Sequence, residues 1–342
     1  MEYKLQLIKK IAPDLTEEMI KRYRVLKTVK LLQPCGRRMV VVSLGMTERT
    51  VRSEIERLSA QNLVNVSKIG MSLTEEGTEV LEGLEEIFSA LTGLSVLEER
   101  LTDALQAQKV FIAQGDSSNS ERAQKEMGQL AARVLSERTS HELRIAITGG
   151  TAMAELVQAA PEAITPMAKM VLPARGSIGR RLELQADTLA ANLAEKLKAD
   201  YRLLHLPDNL SAHVLEEMKK DPDVAETISE MNQADILMIG VGNALEMAEK
   251  RHLDEKIRTY LREQKAVAEA CGYYFDAAGK VVYETRSIGI DFNDIQKMQC
   301  VIVVAGGKNK AESVLAVSQS ITNGIFVTDE GAALEMLRLA GK

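Results

Sequence analysis

The chain has no tryptophan, aromatic residues make up only 4% of it, and its three cysteines, Cys35, Cys271 and Cys300, lie far apart with no CxxC pair. An odd, scattered set argues against a disulfide framework, and without a nearby histidine cluster no zinc or other metal is expected. No run of eighteen apolar residues occurs, which excludes a spanning helix, and the opening MEYKLQLIKK lacks the small-residue cleavage site of a signal peptide. The expected location is therefore the cytoplasm, with no membrane partner. The Walker pattern is missing, and Gly240-Val241-Gly242 continues as Asn-Ala-Leu, an incomplete dinucleotide fingerprint, so no cofactor is expected. His141, His205, His213 and His252 are scattered, and Glu269 and Asp329 are candidate bases without an obvious partner. Catalysis needs a convergent acid and base, and the sequence supplies a binding site more clearly than a reaction.

What the chain does have is an uneven charge. Residues 1–70 hold 14 Lys and Arg against 7 Asp and Glu, whereas the remainder holds 29 against 42, within an overall net charge of -6. A basic head on an acidic body points to a polyanion partner for the head alone. The length of 342 residues exceeds what one core usually serves. The expected division is a winged helix-turn-helix over 1–73, a connecting helix over 74–106 that is read either as a dimerising connector or as a helix packed on the body, and an effector-binding α/β domain over 107–342.

In the head, Asp14 and Glu17 fit a capping box ahead of a helix with Leu15, Met19, Tyr23, Leu26 and Val29 on one face, ending before Gln33-Pro34. The stretch GRRMVVVSLGMTERTVRSEIERLSAQNLV follows. Arg38 to Leu44 reads as a short helix stopped at Gly45, and Thr47 caps a second helix that buries Val51, Ile55 and Leu58. This is helix-turn-helix spacing, in which early residues of the second helix enter the major groove while basic neighbours hold phosphates. Thr47, Glu48, Arg49, Thr50, Arg52 and Ser53 form the candidate reading face, with Arg37 and Arg38 ahead of it and Lys68 at the tip of a wing formed by Leu63–Ser67 and Met71–Leu73. The competing reading is the solvated face of a generic three-helix bundle. Beyond Thr74 a helical apolar stripe runs to Leu105, interrupted by Gly83 and Gly93, so a long unbroken coiled coil is not expected.

From Lys109 the pattern alternates strand, loop and helix, with candidate strands at 110–113, 145–148, 170–172, 202–206, 236–240, 301–305 and 325–328. Such alternation implies a doubly wound, mostly parallel sheet covered by helices on both faces. The exception is Gly272 to Thr285, which reads as an inserted hairpin. Ligands of open α/β sheets lie beyond the carboxyl ends of the strands. There Gly149-Gly150-Thr151 joins a strand to a helix and forms a seat for an anion, while Arg175 and Lys310 follow other strands in glycine-rich turns. Two cations and a glycine cradle suit a sugar phosphate, including one with two phosphates. Gly-Gly-Thr also serves as an ordinary strand-to-helix turn.

These residues, together with MSLTEEG, ITGGTAM, LPARGSIG, LQADTLAANLAEK, YRLLHLP, IGVGNA, AVAEACGYYFDAAGKVV, VAGGKNKAESV and VTDEGAA, resemble the SorC family of bacterial transcription regulators over essentially the whole chain. The resemblance implies a winged-helix DNA-binding domain joined to a body of the sugar-phosphate isomerase and deaminase fold. It further implies a homodimeric or homotetrameric repressor of an operon for lower glycolytic enzymes, held on double-stranded operator DNA and released by fructose 1,6-bisphosphate. By position it assigns Gly149, Gly150, Thr151 and Ala152 to a phosphate-binding turn, Arg175, Lys250 and Lys310 to cationic contacts, and Gln185 and Glu269 to the sugar phosphate. Three residues depart from the family pattern: Ala152 stands for a second threonine, Lys250 for an arginine, and Ser177 for a glycine. The rival from another class is a sugar-phosphate isomerase or deaminase with an accessory head; an activator built from the same parts is a third.

Overall fold

A computed structural model describes residues 2–176, 181–206, 211–322 and 324–342. They form two compact units, one comprising Met1–Leu97 with Ser120–Arg122, the other Glu98–Asn119 with Ala123–Lys342.

The first unit contains α1 (Glu2–Ile11), α2 (Pro13–Leu32), α3 (Arg37–Leu44), α4 (Glu48–Ala60), the antiparallel hairpin β1 (Val64–Val66) and β2 (Met71–Leu73), then α5 (Glu75–Gly83) and α6 (Glu85–Thr92); α7 (Leu94–Leu105) crosses into the second unit. Val25, Leu26 and Val29 of α2 pack with Val40, Val51, Ile55, Leu58, Val64 and Met71 in one core. The expected capping box is not used. Proline 13 opens α2 because its missing N–H costs nothing there, Ala12 is the cap residue, and Asp14 lies inside the helix. Leu15 and Met19, expected on the apolar face, are 61% and 40% exposed, whereas Leu26 and Val29 further along the same face are buried. The stripe after Thr74 is three helices rather than one. It breaks after Gly83 and at Gly93, whose φ of +80° is left-handed.

The second unit is built on seven parallel strands: β3 (Lys109–Ala113), β4 (Arg144–Ile147), β5 (Met170–Pro173), β6 (Asp200–Tyr201), β7 (Ile236–Gly240), β12 (Cys300–Val304) and β13 (Ile325–Asp329), in the order β3-β13-β12-β7-β4-β5-β6. Between β7 and β12 the chain forms a second, antiparallel sheet from β8 (Gly242–Asn243), β9 (Ala266–Ala270), β10 (Tyr273–Asp276) and β11 (Val281–Glu284). Its helices are α8 (Glu121–Arg138), α9 (Thr151–Ala159), α10 (Ala186–Leu197), α11 (Ala212–Met218), α12 (Pro222–Asn232), α13 (Ala244–Lys250), α14 (Glu255–Glu263), α15 (Phe292–Ile295), α16 (Ala311–Ser318) and α17 (Glu330–Leu339). Neighbouring residues of the central strands, such as Leu237 with Met238 and Ile302 with Val303, are all buried, so both sheet faces are covered.

Two expected elements differ. The strand expected over 202–206 is replaced by a two-residue edge strand just before it, Asp200–Tyr201, and the backbone N–H groups of Leu204 and His205 donate to the Asp187 carboxylate. The stretch from Ala244 to Glu263, whose sequence reads as one continuous helix, is broken between Lys250 and Glu255, where His252 adopts a φ of +51°. Ser177, which stands where the family pattern has a glycine, lies outside the described residues.

Candidate functional site

The order of the sheet reverses between β4 and β7, since the chain runs outward through β5 and β6 and then returns to the other side of β4. A crevice opens at such a switch point because the two loops leave in opposite directions. Thr148 closes its floor: its N–H donates to the Met238 carbonyl at 3.0 Å and its Oγ1 accepts from the Gly240 N–H at 3.3 Å. Gly149 comes next, against the Leu184 carbonyl and Gln185, where a Cβ would collide. The Gly150 N–H donates to that carbonyl at 2.9 Å. This brings Gln185, the cap residue of α10, to the glycine turn, and the Leu184 carbonyl takes up one N–H of the expected cradle. The first-turn amides of α9, from Thr151 and Ala152 on, have no acceptor within their helix, and no side chain caps this end. The helix dipole there favours an anion.

Lys250, at the end of α13, and Lys310, after β12, are also brought together. Burial first, then the Lys250 charge, holds the Lys310 ammonium below its ordinary pKa, with Glu246 and Asp329 opposing. Arg175, after β5, lies elsewhere. It is 5% exposed and its Nη2 donates to the Thr285 hydroxyl at 2.6 Å. It shares this interior with Arg251 and Glu269. Glu269 Oε1 accepts from Arg251 Nη2 and from the Gly272 N–H, both at 2.6 Å. Burying charge pushes the Arg251 pKa down while Glu269 resists; an arginine so paired stays charged. Both guanidinium groups thus lie in the same interior as the Glu269 carboxylate. Arg251 was not singled out in the sequence because it follows Lys250 in what reads as one helix. The loops after β5, β4, β7 and β12, four adjacent strands, therefore carry the predicted body residues, but as separate clusters.

The candidate bases are both engaged. Asp329, fully buried, accepts from the N–H groups of Ser117 at 2.8 Å, Gly307 at 2.6 Å and Ala332 at 2.8 Å. It caps α17 and ties that helix to the loops after β3 and β12 at the sheet's carboxyl edge.

In the head, Gly45 takes the left-handed conformation at φ +62° that lets α3 turn into α4. Thr47 caps α4 by accepting the Thr50 N–H at 3.2 Å, and the two hydroxyls lie 2.8 Å apart. Arg49 is exposed, Ser53 half-buried, and Arg52 donates to Glu56 along its own helix at 2.8 Å. Arg37 and Arg38 are exposed in the first turn of α3, an end where cations oppose the helix dipole. Lys68 is exposed at the hairpin turn. Glu54, also missed in the sequence, is buried in α4 and accepts from Arg22 of α2 at 2.8 Å and Arg57 at 3.3 Å, which fixes one helix on the other.

A winged helix-turn-helix followed by an α/β unit with a cation-lined ligand edge defines a ligand-responsive transcription regulator. The family described as "CggR N-terminal DNA binding domain" matches residues 19–88, and that described as "Putative sugar-binding domain" matches residues 89–338. The chain is 38% identical over 339 residues to the central glycolytic genes regulator of Priestia megaterium, covering 98% of each, and 39% identical over 342 residues to that of Bacillus subtilis, covering 99% of each. A SorC family regulator from Enterococcus faecalis superposes with a TM-score of 0.67 at 30% identity, over 70% of this chain and 99% of that one. The full-length sorbitol operon regulator SorC from Klebsiella pneumoniae shares the fold at a TM-score of 0.67 and 18% identity, over 97% and 98%. The chain belongs to the SorC family of bacterial transcription regulators. It is a regulator with a DNA-binding and a sugar-binding domain, not an enzyme.

Proposed function

We propose that this regulator is a cytoplasmic repressor of an operon for glycolytic enzymes, bound to its operator as a homodimer or homotetramer and released by a sugar bisphosphate, with fructose 1,6-bisphosphate as the effector. The observation that carries the effector reading is the gathering of cations in two places on adjacent strand ends: Lys250 with Lys310, and Arg175 with Arg251 beside Glu269. Like charges repel, and a cluster kept in spite of that is suited to an anion that neutralises it. Two clusters suit two phosphates.

In this reading the α9 amides at Thr151 and Ala152, beside Gly149 and Gly150, receive one phosphate with Lys310 and Lys250, and Arg175 engages the other. Gln185 and Glu269 meet the sugar; Glu269 Oε1 already serves Arg251 and Gly272, which leaves Oε2 for a hydroxyl. Arg49, Thr50, Arg52 and Ser53 read the operator, while Arg37, Arg38 and Lys68 hold phosphates, with Thr47 and Glu48 at the helix start. The DNA-incompetent state must bind the effector more tightly than the competent state, since equal affinity would shift nothing.

The test is incubation with fructose 1,6-bisphosphate and other sugar phosphates. Thermal stabilisation without turnover is expected, about 2.7 kcal/mol at one hundred times the dissociation constant. Turnover would favour the isomerase or deaminase reading.

A further inference from the structure

The antiparallel sheet β8–β11 interrupts an otherwise parallel unit, and its hairpin has no part in the reading above. Its geometry gives it one. Arg175 leaves β5 and pairs as a short antiparallel bridge with Gly289, with the Gly176 N–H donating to the Ile288 carbonyl and the Ile290 N–H to the Ala174 carbonyl, both at 3.0 Å. The side chain then enters the antiparallel layer. There the guanidinium lies over Gly272, where any Cβ would overlap it, and Nη2 donates to Thr285 Oγ1 at 2.6 Å. Thr285 is 2% exposed and directly follows β11; Gly272 directly precedes β10 with a φ of +83°. The two are joined to each other, because the Thr285 N–H donates to the Gly272 carbonyl at 3.0 Å and the hydroxyl to the same carbonyl at 3.2 Å. The Gly272 N–H in turn donates to Glu269 Oε1, on which Arg251 rests. Arg175 thus stands in a slot whose floor is a residue without a side chain and whose wall is a hydroxyl.

We infer that Thr285 and Gly272 are positioning residues for Arg175: the hydroxyl and the bare Cα fix its guanidinium against the Glu269–Arg251 pair, so effector affinity depends on two residues that do not touch the effector. The inference rests on the proposed role of Arg175 as a phosphate contact. A long, flexible arginine gains affinity for an anion when its rotamer is set beforehand, because binding then costs less conformational entropy. A threonine hydroxyl is the suitable holder, since a hydrogen bond to a charged group is worth more than one between neutral groups.

The experiment measures binding of fructose 1,6-bisphosphate, fructose 1-phosphate and fructose 6-phosphate to the full chain by titration calorimetry, for wild type, Thr285→Val, Thr285→Ser and Gly272→Ala. Thr285→Val keeps the shape and removes the hydroxyl. It is expected to weaken the bisphosphate about tenfold or more. The same loss should fall on one monophosphate, the one whose phosphate Arg175 holds, and spare the other; a general loss of structure would weaken both alike. Thr285→Ser should restore wild-type binding, and Gly272→Ala, which displaces the guanidinium, should repeat the selective loss. Operator binding without effector should be unchanged in Thr285→Val. If wild type binds and Thr285→Val binds all three ligands as well as wild type, or loses both monophosphates equally, the positioning role is overturned alone. If wild type binds none of the three, the effector reading falls and this inference with it.

Discussion

Lys310 stands half-buried beside Lys250, and burial together with that neighbouring charge pulls its ammonium below its ordinary pKa of 10.5. Glu246 and Asp329 oppose the shift without cancelling it. The unfolded chain therefore binds this proton up to a higher pH than the folded one. Stability contributed by this group rises as pH climbs from the lowered value towards 10.5, and below that range both states are protonated. A bound phosphate reverses the balance by favouring the ammonium. Effector binding is expected to take up protons in that alkaline range and to weaken as pH rises through it. Calorimetry in two buffers of different ionisation heat measures the uptake; its absence would remove Lys310 from the anion site.

Ala152 offers the test with the opposite sign. It lies in the first turn of α9, half-buried, where the family pattern has a second threonine. Ala152→Thr adds a hydroxyl at an end that favours anions, and should tighten bisphosphate binding by about threefold to tenfold. Unchanged affinity in a stable Ala152→Thr variant would place the phosphate elsewhere.

Asp329 makes a structural prediction independent of the effector. Its carboxylate accepts three buried backbone N–H groups, two from loops and one from the first turn of α17. Asp329→Ala leaves all three unsatisfied, at about 1 to 3 kcal/mol each, and should unfold the α/β unit at markedly lower denaturant while the head keeps its own transition.

The head has a corresponding pair of tests. Glu54→Ala leaves Arg22 and Arg57 without their shared carboxylate and should destabilise the head by about 1 to 3 kcal/mol. Arg49→Ala should leave stability within about 0.5 kcal/mol, because the side chain is exposed. It should weaken operator binding, and if its contact is to phosphate, lower the salt dependence by about one charge. Operator affinity that survives the loss of both Arg49 and Arg52 would contradict the placement of the reading helix.

The helix-turn-helix was legible because its signals are local: Gly45 at the turn, Thr47 as a cap, and Val51, Ile55 and Leu58 on one face all stand where the sequence puts them. The parallel strands were legible for the same reason, as short β-branched runs such as Val301 to Val304. Strand β9 was not, because AVAEA carries no alternation, and its conformation comes from pairing with Tyr273–Asp276. The Arg251–Glu269 pair was hidden because its members are eighteen residues apart and meet only once the helix breaks after Lys250. The place of Arg175 after a strand is legible in the sequence; the setting of its guanidinium by Gly272 and Thr285 is not, because no local pattern connects them to it.

The most direct measurement is a titration of the full chain on DNA from the region upstream of its own gene, at one stated salt concentration, with and without fructose 1,6-bisphosphate. Specific binding without the sugar and a fall in affinity of about tenfold or more with it, corresponding to about 1.4 kcal/mol of coupling, is the predicted result. Specific binding that is indifferent to the sugar at saturating concentration would contradict the account.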